Sequence, residues 1–298
     1  MRRFLVAIAI ATAFASPITI AAQALTPDQE RRIAAVFEDL ADPGAPGASV
    51  AVIRDGRLAF SEGYGSAQIE YPVPIEPSTI CHVASVSKQV TAMALLLLEA
   101  DGALSLDDDI RDHMPDVPDM GAVVTPRQLL QHTSGVRDQW ELLAMAGWRL
   151  DDVITTEHIL SMVRNQKELN FEPGEEHLYC NTGYTLLGEI VARVTGQSFS
   201  AWTRENLFDP LGMTHTHFQI DHEKIVPGRA YSYKPEGKEN FRKSVLSYAN
   251  AGATSLFTTA EDLLLWARNF MDPEVGGPEV FARMQETAVL NSGREIPY

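Results

Sequence analysis

Ser85-Val86-Ser87-Lys88 stands at the head of a long apolar segment, and the architecture follows from how that segment must be buried. It comes after Thr79-Ile-Cys-His-Val-Ala84 and runs into Gln89-Val-Thr-Ala-Met-Ala-Leu-Leu-Leu-Leu-Glu-Ala100, which is apolar on nearly every side. A helix of that kind belongs inside a domain rather than on its surface. Its first turn offers free backbone N–H groups and the positive end of the helix dipole, so a serine there lies in an electropositive corner. Lys88, three residues on, shares a helical face with Ser85, and the amine and hydroxyl can meet. A hydroxyl needs such a neighbour, to take its proton or steady its anion, before it is a nucleophile. The plainer alternative is that Ser85 caps the helix and Lys88 reaches water. Ser-x-x-Lys arises by chance in a chain this long, so its weight comes from its company.

Upstream, Met1-Arg-Arg-Phe-Leu-Val-Ala-Ile-Ala-Ile-Ala-Thr-Ala-Phe-Ala has a basic tip and a short apolar run, followed by small residues ending Ala22-Gln23-Ala24. This pattern predicts a secretory signal peptide cleaved after Ala24, because the apolar run is too short for a spanning helix. The mature chain, 25–298, is then expected to be periplasmic or secreted, with no membrane span. The 298 residues are 45% hydrophobic and 21% charged, enough for a substantial core. A net charge of -16 argues against nucleic acid or an anionic membrane surface as partner. The two cysteines, Cys81 and Cys180, form neither a metal pattern nor a disulfide framework. Cys81 precedes Ser85 by four residues, and an exported protein permits the two cysteines to pair.

Working outward from the Ser85 helix, Ala48–Ile53 and Arg57–Ser61 flank Asp55-Gly56, an antiparallel hairpin signal. A helix is expected before the hairpin, opening at Thr26-Pro-Asp-Gln29. Downstream, 105–118 is acidic and turn-rich, and Thr125-Pro126 opens a short helix running into His132-Thr-Ser-Gly135. Trp140 to Gln166 reads as mostly helical. Thr182–Thr195, ended by Gly196, and Phe199–Leu207 are further helices. A polar stretch follows from Asp221 to Lys243. Ala251–Phe257 reads as a strand, and Thr258-Thr-Ala-Glu-Asp262 as a helix start. The fold class implied is α/β of the α+β type: an antiparallel sheet flanked by helices, with an inserted helical lobe over roughly 105–250.

A serine–lysine pair usually needs a third group to carry the proton to the leaving group. Tyr179 is the candidate, since a phenol held near an ammonium group can act as base and then as acid. Asn181, two residues on, can orient the lysine or hold a substrate amide. A second Tyr-x-Asn, Tyr248-Ala249-Asn250, competes; Tyr179 is preferred because its loop directly precedes an amphipathic helix. His132, at a helix end, reads as a structural hydrogen-bond partner rather than a catalyst. The rival chemistry is metallic: His215-Thr-His217 with Asp221-His222 is close to a metallohydrolase pattern, but the Asp-His pair arrives two residues late. The preferred reading needs no metal and no cofactor.

Ser85-Val-Ser-Lys88 with Tyr179-Cys-Asn181 resembles the serine β-lactamase and penicillin-binding-protein superfamily, in its class C-like branch of hydrolases and esterases. Leu129-Leu-Gln-His-Thr-Ser-Gly135, Asn181-Thr-Gly-Tyr-Thr-Leu-Leu-Gly188, Pro210-Leu-Gly-Met213 and Asp262-Leu-Leu-Leu-Trp266 extend the resemblance from about Pro43 to Phe270. It implies a β-lactamase/transpeptidase-like fold and a small-molecule or peptide substrate. It also implies acylation at Ser85, proton handling by Lys88 and Tyr179, and an oxyanion contact from the Ser85 N–H. Esters, D-amino-acid peptides and β-lactams all fit that chemistry, as does a penicillin-binding sensor that acylates without turnover. The family's third motif, Lys-Thr-Gly or His-x-Gly, does not occur between Phe270 and Tyr298. The expectation is therefore that the sequence stops short of it. Cys180 stands where the family usually has a small residue.

Overall fold

Residues 25–237 and 240–298 are described by the structure, a computed structural model. The signal peptide expected over residues 1–24 lies outside the described residues. Helix α1 (Pro27–Val36) starts at Thr26, whose hydroxyl accepts the Gln29 N–H while the Gln29 side chain accepts the Thr26 N–H. That reciprocal cap satisfies two otherwise orphaned donors. Strands β1 (Ala48–Arg54) and β2 (Arg57–Tyr64) pair antiparallel, from Ala48 opposite Tyr64 to Arg54 opposite Arg57. Between them Asp55 and Gly56 take φ of 53° and 71°, the left-handed pair that a two-residue hairpin turn requires. Strands β3 (Ser66–Gln68) and β4 (Val73–Pro74) form a second pair, and β5 (Cys81–His82) leads toward the apolar helix α2 (Ser87–Ala100).

Beyond α2 come α3 (Ile110–His113), α4 (Pro126–Leu130), α5 (Gln139–Met145), β6 (Ile154–Thr155), α6 (Thr156–Arg164), α7 (Asn181–Thr195) and α8 (Phe199–Thr203). Then follow β7 (His217–Phe218), β8 (Ser232–Glu236), β9 (Asn240–Ser244), β10 (Tyr248–Ala249), β11 (Leu256–Thr258), α9 (Ala260–Met271) and α10 (Gly277–Met284). The core is built on α2, as its all-round apolar sequence requires. Met93, Leu95 and Leu98 meet Leu186, Leu187 and Ile190 of α7 and Phe281 of α10 in one cluster. Each such side chain contributes roughly 1.5–3 kcal/mol on leaving water. Strand β11 lies between β5 and β7, antiparallel to both, with Phe257 opposite His82 and His217. Antiparallel pairing is thus spread over small sheets packed among helices. Among the described residues, no helix is long and apolar enough to cross a membrane.

Three stretches differ from their sequence reading. Trp140–Gln166, read as mostly helical, is helical at both ends and interrupted between: α5 ends at Met145, Gly147 turns left-handed at φ 84°, and Thr155 caps a new helix by accepting the His158 N–H. The strand expected over Ala251–Phe257 is paired only from Leu256, because Gly252 (φ 99°) and Ser255 (φ 75°) leave the extended region. The polar stretch 221–243 contains the hairpin β8–β9, paired from Ser232–Ser244 to Glu236–Asn240, whose charged faces hide the strand alternation. The segment 105–250, read as a helical lobe, carries α3 to α8 and also β6 to β10.

Candidate active site

Ser85 sits in a tight turn, Ala84–Val86, that runs directly into α2. Ala84 takes φ 45° there, a backbone state that costs a non-glycine residue roughly 1 kcal/mol. Ser85 is exposed at the helix head, whereas Lys88, one turn deeper, is only 4% exposed. The i, i+3 spacing brings Lys88 Nζ to 3.3 Å from Ser85 Oγ. Lys88 Nζ also donates to Asn181 Oδ1 and to the Ala253 carbonyl, each at 2.9 Å. Three acceptors therefore converge on one amine and fix its direction. Burial pushes the Lys88 pKa down to about 8, while the Asp138 carboxylate and then Cys180 pull it back up.

Tyr179 arrives from the loop ahead of α7, and its hydroxyl donates to Ser85 Oγ at 2.9 Å. Its ring lies 4.8 Å from Lys88 Nζ and 4.4 Å from the His132 ring. His132 braces that loop: its carbonyl accepts the Leu178 N–H and its Nδ1 accepts the Cys180 N–H, both at 3.0 Å. Its Nε2 lies 2.9 Å from the Tyr298 hydroxyl. Burial, and then the Lys88 charge, pushes the His132 pKa down to about 3, so the ring serves as a neutral bracket. Asn181 begins α7, with its Oδ1 on Lys88 and its Nδ2 donating to Asp138 Oδ2 at 2.9 Å. Of the two roles read for Asn181, orienting the lysine is the one this geometry fills.

The structure brings Ser85, Lys88, Tyr179 and Asn181 together and leaves the rival residues elsewhere. Tyr248 pairs with Ile154 in β10 and packs 5.1 Å from the Trp140 ring. His215 donates its N–H to Asp262, and His217 stacks on Phe257 at 5.9 Å. Among the described residues, no three His, Cys, Asp or Glu side chains are grouped to hold a metal ion. Cys81 and Cys180 are free thiols. Cys180 Sγ is turned inward, 3.2 Å from the Val136 carbonyl, while Cys81 pairs with Thr258 in the sheet; burial raises the Cys180 pKa to about 11.

Asp138 is the residue that sequence reasoning missed. Its Oδ1 caps α5 by accepting the Trp140 N–H at 2.8 Å, and its Oδ2 accepts the Asn181 N–H at 2.5 Å. An aspartate just before a helix signals the cap; nothing local signals the grip on Asn181.

The Beta-lactamase family profile matches residues 33–295. The chain belongs to the Beta-lactamase family. It is 31% identical over 258 residues to Protein flp of Staphylococcus aureus (strain MRSA252), covering 84% of this chain and 50% of that protein. It is 27% identical over 259 residues to a D-aminopeptidase of Gluconobacter oxydans (strain 621H), covering 86% of this chain and 48% of that one. The chain thus spans about half the length of these curated relatives. Among solved structures, the octameric penicillin-binding protein homologue from Pyrococcus abyssi superposes with a TM-score of 0.76 at 26% identity, covering 87% of this chain and 60% of the other. The fold is therefore that of the Beta-lactamase family.

Proposed function

We propose that the chain is an exported serine hydrolase that works through an acyl-enzyme on Ser85, with esters or the amides and peptides of D-amino acids as substrates. One observation carries this reading: an exposed Ser85 Oγ is contacted at once by Tyr179 OH at 2.9 Å and by a buried Lys88 Nζ at 3.3 Å. In its neutral form Lys88 takes the Ser85 proton as Oγ bonds to the substrate carbonyl carbon. The Ser85 N–H, at the helix head, steadies the developing oxyanion. Tyr179 passes a proton to the leaving alkoxide or amine as its bond to carbon breaks, and takes back the proton that Lys88 had received, leaving the amine neutral. Water then attacks the acyl ester, gives its proton to the same pair, and Ser85 departs reprotonated.

The relative named a D-aminopeptidase supports D-amino-acid substrates. The neighbour described as a penicillin-binding protein homologue supports the alternative, a β-lactamase or a penicillin sensor. The basic tip and apolar run of residues 1–24 support export to the periplasm or beyond.

A covalent serine probe and a chromogenic acyl ester test the reading together. Ser85→Ala is expected to abolish labelling at little cost in stability, because the exposed Ser85 hydroxyl caps no helix N–H and only accepts from Lys88 and Tyr179. An acyl adduct on the Ser85→Ala protein would refute the assignment. Labelling without turnover identifies the sensor, and loss of turnover on chelation identifies metal chemistry. Rates on an ester, a D-amino-acid amide and a β-lactam then rank the substrate classes.

A further inference from the structure

One turn of backbone, Gly252 to Leu256, supports the base end of the site from outside every motif read above. The Gly252 carbonyl accepts from the Thr91 hydroxyl at 2.8 Å, the Ala253 carbonyl from Lys88 Nζ at 2.9 Å, and the Leu256 N–H reaches Ser87 Oγ at 3.1 Å. Ser255, inside this turn, has φ 75°, a left-handed backbone that residues with a β-carbon avoid. Its own hydroxyl is buried and has no hydrogen-bond partner among the described residues. The hold on Ser255 is therefore through its backbone. Its carbonyl accepts the Gln219 N–H at 2.9 Å, and its N–H donates to His82 Nε2 at 3.3 Å. The Thr254 hydroxyl lies 3.0 Å from the same nitrogen. A ring whose Nε2 accepts carries its proton on Nδ1. Burial, and then the Arg229 charge, depresses the His82 pKa to about 4 and keeps the ring neutral. Packing fixes the ring plane, with Phe257 at 5.2 Å and Tyr248 at 6.4 Å.

We propose that His82 is a positioning residue for Lys88: by accepting the Ser255 N–H, it locks the left-handed turn whose Ala253 carbonyl holds the lysine against Ser85. The role in catalysis rests on the acyl-enzyme reading above; the hold on Lys88 does not. Without the acceptor, Ser255 relaxes toward an ordinary backbone angle and the Ala253 carbonyl drifts. Lys88 then keeps Asn181 and Ser85 as acceptors but loses the third. The other groups around the amine, namely Asp138, Cys180, Tyr179, Tyr184 and His132, belong to different segments and stay in place. Fewer acceptors favour the neutral amine, so the Lys88 pKa falls further.

Three variants separate this role from simple packing. His82→Leu fills the space with no acceptor, and His82→Asn is polar but too short to reach the Ser255 N–H. His82→Gln can place Oε1 near the position of Nε2. The acylation rate on a chromogenic ester is expected to fall about 10- to 100-fold in His82→Leu and His82→Asn, the scale of a misplaced reacting group. KM should change little, and His82→Gln should recover most of the rate. Lys88 titration, followed by 13Cε NMR on the whole chain, should move to lower pH in the Leu and Asn variants and return in the Gln variant. Should His82→Leu fail to fold, the Asn–Gln pair carries the same comparison. An unmoved Lys88 titration, or a Gln variant no better than Asn, overturns the proposal. A wild-type protein that never acylates refutes the hydrolase reading instead, and the NMR titration still decides the role of His82.

Discussion

Tyr179 and Tyr248 both stand two residues ahead of an asparagine, and only their surroundings separate them. Tyr179 is 43% exposed and bonded to Ser85 Oγ, whereas Tyr248 is half-buried against Trp140. Tyr179→Phe is expected to lower the acylation rate by roughly 10² to 10⁴, the range for a lost proton-transfer partner. Tyr248→Phe should cost little, and a larger loss there than at Tyr179 would mean the wrong phenol was assigned. On the acyl-enzyme reading, Lys88 is expected to set the pH dependence of the same step. As a base it must be neutral, and its pKa is lowered to about 8. Acylation should therefore rise with pH and level off above about 8; a rate falling across that range would show that the charged amine is the working form.

Elements meet at the site through two contacts that no single element contains. Asp138 caps α5 with one oxygen and holds the start of α7 with the other. Asp138→Ala should cost about 1 kcal/mol for the cap, and roughly 1–3 kcal/mol more for the Asn181 donors left without an acceptor. Thermal melting reads that loss. Activity should fall further than the melting curve implies, because Asn181 also directs Lys88. The second contact is where α7 meets the Gly252 turn. A β-carbon at Gly252 (φ 99°) would lie 2.2 Å from the Tyr184 carbonyl oxygen, while one at Gly102 (φ 71°) would meet nothing within 4 Å. Gly252→Ala should destabilise by about 3 kcal/mol or more, against about 1 kcal/mol for Gly102→Ala, where only backbone strain acts. Equal effects would show that α7 does not press on the turn.

For the whole molecule, the buried bases make stability depend on pH. His82 and His132 are depressed from 6.5 to about 4 and about 3, so between those values and 6.5 the unfolded chain binds more protons than the folded one. Stability must then fall as pH drops from 6.5 toward 3, by a few kcal/mol at most per ring. Lys88 adds a second limb. Its folded pKa of about 8 lies below the ordinary 10.5, so its own contribution rises with pH from about 8 to about 10.5. The buried Cys180 thiol and Tyr184 phenol, both raised, work against it above about pH 9. Urea unfolding between pH 4 and pH 10 should show the acid limb directly, and the alkaline contribution of Lys88 as the difference between wild type and Lys88→Met. A difference that does not change above pH 8 would mean Lys88 titrates normally.

What the sequence by itself determined is what short-range geometry dictates. Asp55-Gly56 selects the hairpin turn, Thr26 and Thr125 set helix starts, and three residues of helix bring Lys88 to Ser85. A helix apolar on all sides had to be central. The loop ahead of an amphipathic helix already favoured Tyr179 over Tyr248; only the tertiary structure set its hydroxyl on Ser85 and placed Asp138, His82 and the Ala253 carbonyl. Those contacts join residues 43 to 173 positions apart. Over such separations spacing carries no geometric information, and packing of the core decides which groups face one another. The same reason shortened the strand expected over Ala251–Phe257. Its first residues spend their backbone groups on Thr91, Lys88 and His82 side chains rather than on a neighbouring strand, and strand propensity yields to such competition.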